Sequence, residues 1–481
     1  MRCPRTAVKV NGTMFTIAEI ARATGGKIVG IDAGEVTGVS TDSRMVAAGE
    51  LFVPLVGERF DGHDYIEAAL ARGVRVFLAA REWIGRKPAP AGVTCIVVAD
   101  TLRELGNLAL FHRSRFALPV VGVTGSNGKT TTKEMLAAIL GQTGPGLKTV
   151  GNLNNLIGLP QMLLRLTGEH RWAVLEMGMS DPGEIDRLAE IARPETGVIT
   201  NAFPAHLQSM GSVAAVARAK GELFLRLAPG GWAVYNADDP LIAACPVPSG
   251  VQRLGFGLHG AEVSATGISH VGKSGVSFTL HLPSGEVPVT MRAFGLHNVT
   301  NALAAAAAAV ALGVKADVIR AGLAEFTPYE KRFNLEELDG VVLIDDSYNA
   351  NPASVAAALR TVAELREECR AIAVLGDMLE LGPGSADAHR EIGTLAASCV
   401  ERLYLLGEMA ETVAAGAVAG GLSATEVRVA RDHDEIVVDL EGILGNGDYL
   451  LVKGSRGMRM EIVAEGIRRA FAPHRAKEAV A

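Results

Sequence analysis

The chain has 481 residues, 48% hydrophobic and 21% charged, a composition ordinary for a soluble globular protein and a length that calls for two or three domains. A formal net charge of −7 gives no electrostatic footprint for nucleic acid. Five cysteines (Cys3, Cys95, Cys245, Cys369 and Cys399) are odd in number, scattered and without metal-ligand spacing, so they read as buried or free thiols in a reducing compartment.

The N-terminus lacks a charged start followed by an apolar core, and residues 1–10 read as a loose extension. Residues 16–24 have helical periodicity and end at Gly25-Gly26, a C-cap signal. Apolar runs at 51–56 and 74–78, with a helix between them, predict a small α/β domain ending near Asp100. The Pro- and Gly-rich stretch 87–92 is only a loop, because strand-like residues 95–98 follow it. From Thr101, strands at 119–123, 172–177 and 197–200 alternate with helices, the pattern of a mostly parallel sheet. Residues 250–292 alternate apolar and polar side chains between glycines and predict an antiparallel insert. The Ala-rich stretch 302–314 is too short to span a bilayer and predicts a buried helix, so a cytoplasmic protein is expected. That helix closes the domain near Thr327-Pro328. Strands at 341–344, 371–375, 403–406 and 449–452 then alternate with helices in a doubly wound pattern, with polar residues at the strand C-termini. The fold class is therefore α/β in three domains: an N-terminal α/β domain over 1–100, a P-loop ATPase-like parallel-sheet domain over 101–328, and a Rossmann-like domain over 329–481.

The sequence TGSNGKTTT at 124–132 joins an apolar strand to a helix, as a phosphate-binding loop requires. Gly125 and Gly128, around Ser126 and Asn127, let the backbone curl so that N–H groups point at an anion, and the helix adds its positive N-terminal end. Lys129 would reach the outer phosphates, Thr130 would place its hydroxyl on Mg²⁺, and Thr131 continues the helix start. Only two residues separate the glycines, where an ordinary GTPase or kinase loop has four.

Other positions read two ways. Glu176, at the end of a strand, is either a Mg²⁺ ligand beside the loop or a carboxylate in solvent. His206 by position alone is a packed or surface histidine before it is a ligand. Lys220, in a helical stretch, reads as a solvated lysine. Asn152, Asn154 and Asn155 mark a turn whose amides could equally contact phosphate or sugar. Arg332, Asp346 and Asn349 open the third domain, either as a strand-end cap or as a ribose site. Lys453-Gly-Ser455-Arg is a second anion-friendly turn.

Together these motifs resemble the Mur ligase family, the ATP-dependent amide-forming enzymes of peptidoglycan precursor synthesis. The resemblance runs from about Phe15 to Ile467, and the shortened glycine loop is the family's own form. STDSR at 40–44, FDGHD at 60–64, GLHNVTN at 295–301, DDSYNANP at 345–352, LGDMLELG at 375–382 and KGSR at 453–456 discriminate further. DDSYNANP and GDMLELG look like the member that adds D-alanyl-D-alanine.

The resemblance implies that this dipeptide is joined to UDP-N-acetylmuramoyl-tripeptide through an acyl phosphate; a cytoplasmic monomer with no nucleic-acid partner and no integral membrane segment is expected. Thr41, Asp42, Ser43 and Arg44, with Phe60, Asp61, Gly62 and His63, match the UDP-substrate site, and Asn152, Asn154 and Asn155 its continuation. The loop from Gly125 to Thr131, Asn298, Asn301, Arg332, Asp346 and Asn349 match the ATP site. Thr130, Glu176 and His206 match ligands of two Mg²⁺ ions, and Lys220 matches a lysine often carbamylated to support the second. Lys453 and Ser455 fall where the dipeptide or peptide stem is expected. Leu156, Gln208 and Lys331 depart from the residues common in the family, Asp, Glu and Gly respectively. A binding-only relative would be expected to lose Lys129, Glu176 or His206, and all three are present. The third stem residue, diaminopimelate or lysine, is not encoded in any motif.

Overall fold

Thr16 opens the first helix as a capping box: its hydroxyl accepts the Glu19 N–H, and the Glu19 carboxylate accepts the Thr16 N–H at 2.9 Å. The helix Ile17–Thr24 then stops at Gly25, which has φ 59°. This computed structural model describes residues 12–88, 90–204 and 210–471. The expected extension at 1–10, His206 and Gln208 lie outside the described residues. The chain divides into two compact units, one of 1–122, 144–179 and 183–195, the other of 123–143, 180–182 and 196–481.

The first unit holds a five-stranded sheet in the order Lys27–Gly30, Thr94–Val98, Val76–Ala80, Glu50–Phe52, Gly38–Ser40. Its first pair is antiparallel and the other three are parallel. Period-two alternation divides these strands between two cores. Leu51, Leu78 and Ile96 face one core with Phe15, Ile17 and Ile20. Their neighbours Phe52, Phe77 and Cys95 face the other with Ile66. The helix Thr101–Arg113, capped by the Asp100 carboxylate, carries Leu105 and Leu108 into the first of these cores. The strands Leu147–Lys148 and Ala173–Glu176 pair in parallel in this unit.

In the second unit Thr196–Ile199, Trp232–Asn236 and Gln252–Phe256 pair in parallel. This corrects the expectation for residues 250–292. The strand Gln252–Phe256 belongs to the parallel set, and the antiparallel insert is the three-stranded sheet Ser264–His270, Val276–Leu282, Gly285–Met291. Alternation reports which faces are wet, and both sheet kinds produce it at an edge. The helix Leu296–Ala311 buries every residue from Ala302 to Ala309. Among the described residues no helix is long and apolar enough to cross a membrane.

The C-terminal sheet runs Asn334–Leu338, Val341–Asp346, Tyr449–Lys453, Ala371–Gly376, Arg402–Leu406, Val427–Val429. All neighbours are parallel except the first hairpin. Pattern reading misses both edge strands, because no residue of either is fully buried and only one is apolar in alternate positions. Apolar cores cover both faces, with Ile344, Ala373, Leu405 and Leu451 on one and Leu343, Val374, Tyr404 and Leu450 on the other. This is the doubly wound arrangement the sequence predicts.

Candidate active site

The strand Val120–Thr124 ends in the glycine loop, and the helix Lys129–Gly141 leaves it. Gly125 has φ 152°, and a Cβ there would stand 1.8 Å from Thr200 Oγ1. Gly128 has φ 80°, and its Cβ would stand 2.1 Å from Asn301 Oδ1. No other residue fits either position. Ser126 N–H donates to the Asn201 carbonyl at 3.0 Å, and its hydroxyl to the Phe203 carbonyl at 3.0 Å. Lys129 Nζ donates to the carbonyls of Gly125 and Ser126, at 2.8 and 3.3 Å. Thr130 is buried at the helix start.

The helix Val213–Leu225 presents Lys220, 3% exposed. Burial first, and the charge of Lys129 second, push its pKa well below the ordinary lysine range. The solvated reading of Lys220 is therefore overturned. Its burial follows from the helix having Val216, Ala217, Ala219, Leu223 and Phe224 on the same buried side.

Asn298 and Asn301 stand one turn apart on the helix Leu296–Ala311, where Asn301 Nδ2 donates to Asn298 Oδ1 at 3.1 Å. Thr131, Asn298, Tyr329, Arg332 and Phe333 line one small cavity. The Arg332 guanidinium lies 4.2 Å from the centre of the Tyr348 ring, and its buried Nε has no hydrogen-bond partner. Asp346 accepts Lys453 Nζ at 2.7 Å and the Phe333 N–H at 3.1 Å. Lys453 also donates to the Asn349 carbonyl at 2.9 Å, and Asn349 Oδ1 accepts the Arg456 N–H at 3.2 Å. Ser455 donates to the Ala350 carbonyl at 3.2 Å and accepts the Leu379 N–H at 2.9 Å. The sequence-predicted residues from Asp346 to Ser455 thus form one hydrogen-bonded loop support, with Lys453 and Ser455 buried.

The first unit gathers the other candidates. Glu176 is 2% exposed, not a strand end in solvent; its N–H donates to Thr149 Oγ1, and its Oε1 accepts Asn154 Nδ2 at 2.7 Å. Asn155 Oδ1 accepts the N–H groups of Ile157 and Gly158, starting the helix Gly158–Leu163, while the Asn152 carbonyl accepts the Asn154 N–H. Asp42 and Arg44 pair at 2.7 Å beside Ser43, and the guanidinium bonds hold the Asp42 carboxyl down to about 2. Thr41 Oγ1 accepts Gln161 Nε2 at 2.8 Å.

Phe60 is exposed, whereas His63 is buried. His63 Nε2 accepts the Ala80 N–H at 3.0 Å, so Nδ1 carries the proton and donates to Asp61 Oδ1 at 2.6 Å. Both ring nitrogens brace the loop around Gly62. Thr200, Asn201, Tyr348 and Gln161 were missed. The strand-end position of Thr200 and Asn201 is the available signal, and Tyr348 lies within the DDSYNANP motif; Gln161 has none. Among the described residues no three His, Cys, Asp or Glu side chains gather for a metal. Buried oxygen donors, Thr130 and Glu176, are nonetheless of the kind Mg²⁺ takes.

Three family descriptions match the chain: "Mur ligase family, catalytic domain" at 35–113, "Mur ligase middle domain" at 123–309 and "Mur ligase, glutamate ligase domain" at 331–456. The UDP-N-acetylmuramoyl-tripeptide–D-alanyl-D-alanine ligase of Escherichia coli K12 is 38% identical, covering 94% of this chain and 98% of that one. A crystal structure of MurF from Acinetobacter baumannii superimposes with TM-score 0.86 at 35% identity, covering 95% of this chain and 99% of that one. MurF ligase from Thermotoga maritima, in complex with ADP, gives 0.81 at 30% identity, covering 90% and 97%.

Proposed function

The chain belongs to the Mur ligase family, and from that premise we propose that it joins D-alanyl-D-alanine to UDP-N-acetylmuramoyl-tripeptide, with ATP converted to ADP and phosphate. The product is the UDP-MurNAc-pentapeptide precursor of peptidoglycan. The observation that carries this reading is the 38% identity, over 94% of the chain, with the E. coli ligase named for that activity.

A carboxylate is a poor acyl donor because its leaving group would be oxide. Transfer of the γ-phosphoryl group onto it releases ADP and makes an acyl phosphate, whose leaving group is phosphate. The dipeptide amine then attacks the carbonyl carbon, passes through a tetrahedral oxyanion, loses a proton and expels phosphate. The first step brings two anions together, and Lys129 is the loop cation that offsets their repulsion. Mg²⁺, two ions by the family resemblance, supplies further positive charge when bound, and Thr130, Glu176, His206 and Lys220 are the residues assigned to hold it. Lys220 acts as a carbamate: its buried neutral amine takes up CO₂ and loses a proton, becoming an anion.

Asn298, Asn301, Arg332, Asp346 and Asn349 take the nucleoside end of ATP. Thr41 to Arg44, Phe60 and the braced loop at 61–63 take the UDP end, and Asn152, Asn154 and Asn155 continue that site. Lys453 and Ser455, being buried, shape the loop 346–350 toward the incoming dipeptide. The enzyme works as a monomer in the cytoplasm.

Phosphate release from ATP, assayed with each UDP-muramoyl peptide with and without D-alanyl-D-alanine, tests the proposal. Release that needs both the UDP-tripeptide and the dipeptide is the expected result, and comparing diaminopimelate with lysine substrates identifies the stem. Release with a UDP-dipeptide and a free diamino acid would move the assignment to the third-residue ligase of the same family.

A further inference from the structure

Asn127, in the middle of the phosphate loop, has every backbone polar group engaged. Its N–H donates to Asn201 Oδ1 at 2.9 Å, and its carbonyl accepts Thr200 Oγ1 at 2.6 Å and Asn201 Nδ2 at 3.2 Å. Its side chain pairs with that of Asn351, which lies 224 residues further along the chain. Asn127 Nδ2 donates to Asn351 Oδ1 at 3.1 Å, and Asn351 Nδ2 donates to Asn127 Oδ1 at 2.6 Å. Two amides that exchange two bonds fix orientation as well as distance, which a single bond does not.

Asn351 is itself held. It caps the helix Pro352–Leu365, with its Oδ1 accepting the Ser354 N–H at 2.9 Å and its N–H donating to Ser354 Oγ at 3.0 Å. Just before it, Ser455 bonds the Ala350 carbonyl, and Lys453 bonds both Asp346 and the Asn349 carbonyl. Of the Asn351 side chain, capping uses the oxygen alone, and Ser, Thr or Asp would cap as well. The side-chain Nδ2–H of Asn351 therefore has no part in starting its helix; it is spent on Asn127.

We propose that Asn351 is a positioning residue for the phosphate loop. Through Asn127 it sets the central peptide of that loop, and it ties the loop's conformation to the segment 346–350 and so to Lys453 and Ser455. ATP binding and dipeptide binding would then be coupled through this amide pair. The inference rests on the reading that ATP occupies the loop.

A double-mutant cycle on the full-length protein tests it, using Asn127→Ala, Asn351→Ser and the double variant. Serine keeps the helix cap but is too short to reach Asn127. The readouts are the Kd of a non-hydrolysable ATP analogue by calorimetry, and kcat and KM for ATP and for D-alanyl-D-alanine. Each single change is expected to raise the analogue Kd and the ATP KM about tenfold, with the double variant no worse than either single one. Asn351→Asp, which keeps the cap and one acceptor but sets oxygen against oxygen, is expected to match or exceed the Asn351→Ser loss.

Effects that multiply in the double variant would overturn the proposal, as would a fall in thermal midpoint with Kd and KM unchanged. Should Asn351→Ser fail to fold, Asn127→Ala leaves the helix start untouched and decides alone: an unchanged Kd overturns the proposal. A wild-type protein that binds no analogue sinks the phosphate-loop reading and this inference with it. Binding by the wild type with independent variant effects sinks this inference only.

Discussion

Lys453 Nζ stands 2.7 Å from Asp346 Oδ2, in a setting where the lysine is 2% exposed. Truncating one partner of a largely buried pair leaves the other without a counter-charge. Lys453→Met is therefore expected to lower the free energy of unfolding by about 3 kcal/mol. Asp346→Asn in the same background should recover part of that loss. Urea unfolding of the three variants checks this, and an unchanged midpoint for Lys453→Met would show that the pair carries no net stability.

Lys220 reacts with CO₂ only as a free amine, and burial already holds its pKa well below the usual lysine range. Protein prepared in carbon-13 bicarbonate should show a carbamate resonance that is absent from Lys220→Arg. At a fixed CO₂ concentration its intensity should rise with pH, because forming the carbamate from the amine releases a proton. Bicarbonate-depleted assays should lose activity that bicarbonate restores. Equal rates with and without bicarbonate, and no carbamate signal, would remove the carbamate from the mechanism.

His112 is 6% exposed, donates from Nε2 to the Leu166 carbonyl at 3.0 Å, and has a buried Nδ1 with no partner. Burial pushes the imidazole from 6.5 down to about 4. The unfolded chain thus takes up this proton first as pH falls. The neutral ring's full contribution is present above pH 6.5 and is lost progressively toward pH 4, by at most about 3 kcal/mol. Phenylalanine suits a ring already 5.7 Å from Phe15 and 5.0 Å from Phe116. His112→Phe should flatten the stability profile in that window relative to the wild type; a parallel pair of profiles would assign the acid sensitivity elsewhere.

Lys331 has φ 61°, a left-handed backbone that costs a residue with a Cβ. Its ion pair with Glu461, at 3.6 Å, is loose and partly exposed. Lys331→Gly should therefore raise stability by about 0.5–1 kcal/mol, the strain relieved exceeding the added unfolded-state entropy and the weak ion pair. Thermal and urea unfolding measure it, and a net loss would mean that the Lys331–Glu461 contact outweighs the strain.

Read alone, the sequence determined the glycine loop between the strand and the helix, because two glycines, a lysine and a threonine at that junction are a local constraint that neighbouring residues satisfy. It likewise determined the four inner strands of the doubly wound C-terminal sheet, which are largely apolar runs, and the family, whose motifs are contiguous words such as DDSYNANP. Tertiary structure alone decided that Lys220 and Glu176 are buried, since a charged residue's burial depends on what other elements place over it. It also decided that Gln252–Phe256 pairs in parallel, because a strand's own residues do not name its neighbour. The pairing of Asn127 with Asn351, two residues 224 positions apart, is of the same kind: each amide has an unremarkable local context, and only the fold brings their donors and acceptors within reach.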